Sequence, residues 1–222
     1  EICACLVGSE MCIRDRMESA LYPYKIDRYN TEEMGIAEFG CGIQHFTQEA
    51  EREILPFKDE RQGILMTADV VLDNRAELMR QLGVSNPGVA DGELVYLAYS
   101  KWGEEFVKLL RGVFAIAIYD MQKNILFLYT DHTGSRAVNY YNGKEGFAFA
   151  TTFSCILKAF PQIRYNEKWI TACEATISPD MEIFREITPY EGIFQLEAGT
   201  YLRVSEHLSL IHISEPTRHA QI

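Results

Sequence analysis

The sequence predicts an α+β domain in which two antiparallel sheets stack face to face and helices cover their outer surfaces. Three observations lead there. Residues 112–119 (GVFAIAIY) are β-prone, with Val113, Ala115, Ala117 and Tyr119 on one face and Phe114, Ile116 and Ile118 on the other. A strand that is apolar both ways has to be covered on both sides. Two hairpins then follow one another, over residues 112–130 and 137–151, and helical patterns stand before and after them. Segregated helices around paired sheets satisfy all three.

Each element has its own signal. Residues 17–22 read as the tail of a helix, stopped by Pro23. Residues 35–47 read as a strand, with small and apolar residues mixed as in a packed sheet. Residues 64–73 form a clearer strand, ended by the turn and cap chemistry of Asp73-Asn74. Residues 75–82 make an amphipathic helix, with Ala76, Leu78, Met79 and Leu82 on one face and Gly83 at its end. A Pro/Gly loop spans 84–90. Asp91 opens the next helix, whose apolar face is Leu94, Val95, Leu97, Ala98 and Trp102, and Gly103 closes it. Residues 120–124 (DMQKN) turn the central strand back into 125–130. The second hairpin pairs 137–141 with 147–151 about Asn142-Gly143, a strong hairpin dipeptide. Residues 153–160 and 166–176 are helical, and 200–204 reads as a closing strand. There is no internal repeat and no low-complexity linker within 17–207.

A chain of 222 residues, 47% of them hydrophobic, can bury the core of one domain. Its net charge of −11 repels phosphate backbones and excludes nucleic acid as a main partner. No apolar run reaches membrane-spanning length and no signal-peptide pattern stands at the front, so no membrane partner is expected. Cys41, Cys155 and Cys173 are irregularly spaced, without a CxxC pair. They suit a reducing cytoplasm, the expected location, and give no zinc signature.

The two ends carry a different signal. A DNA strand encoding residues 208–219 has a reverse complement that, one frame over, encodes residues 5–15, and synonymous codons extend the match outward. The segment resembles the transposon end used in tagmentation sequencing libraries. Residues 1–16 and 208–222 therefore read as non-native, adapter-like segments, taking Cys3, Cys5 and Cys12 with them. The domain expected is 17–207, with its first strand missing.

Within that domain several motifs stand in order: Asp91-Gly92-Glu93, Lys101-Trp102-Gly103-Glu104-Glu105-Phe106, residues 110–120 (LRGVFAIAIYD), Asp131-His132-Thr133-Gly134-Ser135-Arg136 and residues 193–202 (IFQLEAGTYL). Together they resemble the amino-terminal glutaminase domain of the asparagine synthetase family, a class II glutamine amidotransferase. The likeness runs from about Ile64 to Val204. It implies a four-layer αββα sandwich of the N-terminal-nucleophile hydrolase type. It also implies a cysteine at the mature amino terminus that attacks the side-chain amide of glutamine. The cysteine's own α-amino group, with a pKa near about 8, serves as base. The acyl-enzyme is then hydrolysed, and ammonia passes to a synthetase domain. No catalytic residue is expected in 17–207, because the nucleophile strand lies upstream of it. No cofactor is expected either: ATP and magnesium belong to a missing carboxy-terminal synthetase domain, the implied partner, and glutamine is the implied ligand.

The glutamine-handling positions depart from the family pattern. Where members carry an arginine for the substrate carboxylate, the nearest match is the uncharged Gln44. Where they carry Asn-Gly-Glu at the oxyanion hole, this strand reads Thr67-Ala68-Asp69-Val70. Ala68 donates nothing, and Asp69 brings negative charge to a place where an oxyanion develops. Asp91, which in the family holds the substrate's amino group, is retained; at a helix start it serves equally as a cap. The expectation is a degenerate glutamine site. Two further readings are structural: Asp131-His132 as a strand-to-strand corner braced by Arg136, and Cys41 as a small core residue despite its Gly-Cys-Gly-Ile setting. Two functions fit: a glutaminase domain by descent, or a non-catalytic scaffold as in relatives that close β-lactam or macrolactam rings without glutamine.

Overall fold

The computed structural model describes residues 2–6, 11–175, 188–205 and 210–214. Their strands form two six-stranded sheets, antiparallel throughout. The first runs β10 (Ile193–Gln195), β8 (Asn139–Gly143), β9 (Gly146–Ala150), β1 (Ile2–Leu6), β3 (Ala37–Ile43), β2 (Arg28–Met34). The second runs β12 (Leu210–Ser214), β11 (Thr200–Ser205), β7 (Ile125–Thr130), β6 (Gly112–Asp120), β5 (Ile64–Leu72), β4 (Phe57–Asp59). The helices α1 (Met11–Ser19) and α4 (Phe153–Ala159) lie against the first sheet; α3 (Asp91–Trp102) lies on β5, with α2 (Arg75–Leu82) packed against it. A short helix α5 (Glu167–Ala175) follows α4. The layers stack helix, sheet, sheet, helix, as the apolar faces of the central strand require.

Strand alternation divides the core. Phe39, Cys41 and Phe149 project between the sheets, where Phe39 and Phe149 meet edge to face at 5.4 Å. The opposite faces of those strands supply Ala148 and Ala150, which pack with Met17, Leu21, Cys155 and Ile156 beneath α1 and α4. On the second sheet Phe106, Phe127 and Tyr129 are fully buried, and Phe106 lies edge to face with Tyr129 at 5.2 Å. Burying a large apolar side chain contributes roughly 1.5–3 kcal/mol, so these faces determine which layers adhere.

Most expected elements appear, and four differ. The strand expected over 35–47 is the second half of a hairpin: β2 precedes it and turns at Gly35, whose φ is +59°. The polar composition of β2 (RYNTEEM) suits an edge strand and hid it from an apolar pattern. The Asn142-Gly143 dipeptide lies inside the ladder, with Gly143 opposite Gly146, so the reversal falls on Lys144-Glu145. The slot expected to be vacant is filled, which corrects the missing first strand. Residues 2–6 set Ile2 opposite Cys41 and Cys3 opposite Gly40 on one side, and Cys3 opposite Ala150 through Leu6 opposite Phe147 on the other. Two facing edges one strand apart leave unpaired N–H and C=O groups, and an extended five-residue run completes both ladders. The strand expected over 200–204 is likewise not the last, because β12 pairs along its outer edge.

Candidate functional site

The site expected from sequence lies where β3, β2 and β5 face one another at one end of the cleft between the sheets. Cross-strand partners in an antiparallel ladder share a face. Arg28 opposite Ile43 and Asn30 opposite Cys41 therefore stand on the cleft face of the first sheet. Cys41 is 2% exposed and lies against Thr67 of β5, whose hydroxyl is buried without a hydrogen-bond partner among the described residues. Burial pushes its thiol up to about 11, and the Asp69 and Glu53 carboxylates add to the rise. A nucleophilic cysteine needs a depressed pKa. Cys41 is the reverse.

Alternation along β5 separates the two positions expected at the oxyanion hole. Thr67 and Asp69 project into the cleft, whereas Ala68, 4% exposed, lies on the face covered by helices. Ala68 therefore does not border the cleft. Asp69 does, and its Oδ1 pairs with Nε of Arg136 at 3.2 Å. Arg136 performs two tasks. Its main chain ties the corner, its N–H donating to Asp131 Oδ2 at 3.2 Å and its carbonyl accepting the Thr130 hydroxyl at 2.8 Å, while its side chain crosses to the cleft. The neighbouring His132 is exposed, and no catalytic Asp/His pair forms.

Gln44 stands just beyond β3, and its Nε2 donates to the Tyr24 carbonyl at 2.6 Å. A guanidinium reaches this region from the neighbouring strand instead. Arg28 donates through Nη2 to the Glu53 carbonyl, and Asn30 Nδ2 donates to the Leu55 carbonyl at 2.9 Å. These two bonds fasten the segment that ends at the cis Leu55-Pro56 bond. Its Glu53 carboxylate, 9% exposed, accepts the Gly92 N–H at 2.9 Å. Burial raises the Glu53 pKa, with Glu93 adding to the rise, and the N–H bonds of Gly92 and Ile54 and the charge of Arg28 oppose it. A Cβ at Gly92 would come within 2.5 Å of Glu53 Oε1, so glycine here is what lets the acid approach the helix.

Asp91 occupies the first turn of α3 but does not cap it; the cap position is Ala90. Its carboxylate is engaged elsewhere. Oδ2 accepts the Leu72 N–H at 2.9 Å, and Oδ1 pairs with Arg75, which also donates to the Val89 carbonyl at 2.6 Å. The structure thus brings Cys41, Asp69 and Glu53 together, places Asp91 beside Glu53 through Gly92, and leaves Gln44 and Ala68 outside. Arg28, Asn30 and Glu53 were missed. Their one sequence signal is the alternation of Arg28, Asn30 and Glu32 in a polar strand. Among the described residues no group of three or more His, Cys, Asp or Glu side chains is disposed to hold a metal ion.

Comparison with known proteins agrees with this architecture. The family model of the glutamine amidotransferase domain matches residues 44–158. The chain is 34% identical over 92 residues to asparagine synthetase (glutamine-hydrolysing) 3 of Bacillus subtilis, covering 41% of this chain and 15% of that protein. It is 26% identical over 149 residues to amidase chry2 of Gibberella zeae, covering 66% and 21%. The chain therefore spans about a fifth, or less, of the length of the curated relatives it matches. Its fold superposes on glutamine phosphoribosylpyrophosphate amidotransferase from B. subtilis with a TM-score of 0.70 at 10% identity, over 98% of this chain and 49% of that one.

Proposed function

The chain belongs to the glutamine amidotransferase domain family, and from that premise we propose that it is the glutaminase-derived domain of an ATP-dependent, amide-forming enzyme related to asparagine synthetase. In this reading its own cleft does not hydrolyse glutamine. One observation carries the reading: the cleft gathers two carboxylates, Asp69 and Glu53, around a thiol raised to about 11. Amide hydrolysis by a thiol needs a thiolate, a base for its proton and donors aimed at the developing oxyanion. Cys41 lies mid-strand and has no α-amino group of its own to act as base. Asp69 presents negative charge where a donor is required, and a missing oxyanion donor costs about 3 kcal/mol. Asp91, the residue that would hold an amino group, is spent on Arg75 and the Leu72 N–H.

On this reading the domain buttresses a separate synthetase domain, its partner, where ATP and magnesium act, and free ammonia supplies the nitrogen. The smaller share of the relatives' length that the chain matches supports a role as one part of such an enzyme. The test is ammonia release from millimolar glutamine, followed with a coupled dehydrogenase. No release above buffer is expected. Release abolished by Cys41→Ser would make Cys41 the nucleophile, and release that survives substitution of Cys41, Cys155 and Cys173 together would overturn the assignment of the cleft.

A further inference from the structure

A second concavity lies where the segment after β10 meets α4, α5 and the corner after β7. Its volume is about 540 Å³, within the usual range of about 300–1,000 Å³ for small-molecule sites. Its walls come from five separate parts of the chain: the corner at Thr133 and Gly134, Phe153 at the start of α4, Trp169 in α5, Thr188 with Pro189, and the run from Gln195 to Ala198. Two aromatic rings and a carboxylate, Glu197, face this space, and among the described residues no Lys or Arg lines it.

Glu197 is exposed, and its carboxylate has no hydrogen bond or ion pair to another described residue. Thr133 and Thr188 direct their hydroxyls to Asp131 and to the Ile193 carbonyl, at 2.6 Å in each case, which leaves the Glu197 carboxylate and the Gln195 amide as the polar side chains open to a ligand.

We propose that this concavity binds a small organic cation, an amine on an apolar aromatic or alkyl body. The body lies between Phe153 and Trp169, and the ammonium meets the Glu197 carboxylate and the Gln195 side-chain carbonyl. Aromatic faces attract cations through their quadrupole, and the Glu197 carboxylate, with no Lys or Arg beside it among the described lining residues, repels carboxylates and phosphates. The site is independent of the cleft, and its test does not depend on glutamine chemistry.

The chain has two tryptophans, so Trp102→Phe leaves Trp169 as the sole indole reporter. Phenethylamine, 2-phenylethanol and phenylacetate are isosteric probes that differ in charge. Titration of the Trp102→Phe protein at pH 7 is expected to show saturable quenching by phenethylamine, at least tenfold weaker binding of the alcohol, and none of phenylacetate. Glu197→Gln should weaken phenethylamine binding about tenfold while leaving the far-UV circular dichroism unchanged. Calorimetry on the unsubstituted protein provides the same comparison without the reporter. Equal affinity for amine and alcohol, quenching indifferent to Glu197→Gln, or binding of none of the three would each overturn the proposal.

Discussion

Asp131 shows how much one side chain can organise. It is 1% exposed, and its Oδ1 accepts the Thr133 N–H, the Thr133 hydroxyl and the Ser135 N–H, while Oδ2 accepts the Phe114 and Arg136 N–H groups. Burial alone would raise its pKa, but the bonds from Thr133, Ser135 and Phe114 outweigh it and hold the carboxyl below its ordinary value. Asp131→Ala leaves several buried N–H groups unpaired, and a loss of about 2–4 kcal/mol is expected from urea unfolding at pH 7. The pH dependence has a definite sign. A depressed carboxylate stabilises the fold above its unfolded pKa of about 3.9 and loses that contribution as pH falls through the lower folded value. The gap between the parent and Asp131→Ala should therefore be full at pH 7 and shrink below pH ~4; a gap constant down to pH 2.5 would show that the ionised carboxylate is not what holds the corner. The sequence showed this residue as the start of a structural corner, because Asp-x-Thr-Gly-Ser is turn chemistry. It could not show that Arg136, five positions on, spends its guanidinium on Asp69 across the cleft.

Elements were legible in proportion to how far their composition departs from the average. β6 announces itself because both faces are apolar, and the bounds of α2 and α3 follow from Asn74, Gly83 and Gly103. β2 was invisible because an edge strand exposed on one side needs no apolar face. The ladder at the start of β6 makes a sharper demand than either. Gly112 has φ +140°, and a Cβ there would lie 2.1 Å from the Val71 carbonyl oxygen of β5. A backbone atom in a ladder cannot rotate aside as a side chain can. Gly112→Ala is expected to destabilise by more than about 2 kcal/mol, through strain and a shifted β5–β6 register. Equilibrium denaturation measures the loss. A neutral result would mean that the two strands separate at this point without consequence.

For the molecule as a whole, the layered fold could be read from the sequence, while the cleft could be read only in part. Asp69 and Asp91 were found through family motifs, but Arg28, Asn30 and Glu53 converge from a strand and a loop that no spacing rule connects to them. The face of Ala68 was a matter of parity, fixed only once Thr67 met Cys41. Charge, by contrast, is a global property and legible at once. At −11 the protein is expected to pass through heparin at pH 7 and low salt without retention; retention would reveal a basic surface that the total conceals. One feature of the first sheet bears on how such a chain is made. The middle strand, β1, bridges β3 and β9, with Ala4 opposite Phe39 on one side and Phe149 on the other. On a ribosome adding about 5–20 residues per second, residues 2–6 wait on the order of ten seconds for that second neighbour to be synthesised. Until then one flank of the nascent ribbon stays unzipped, open to chaperones or to another copy emerging from the same message.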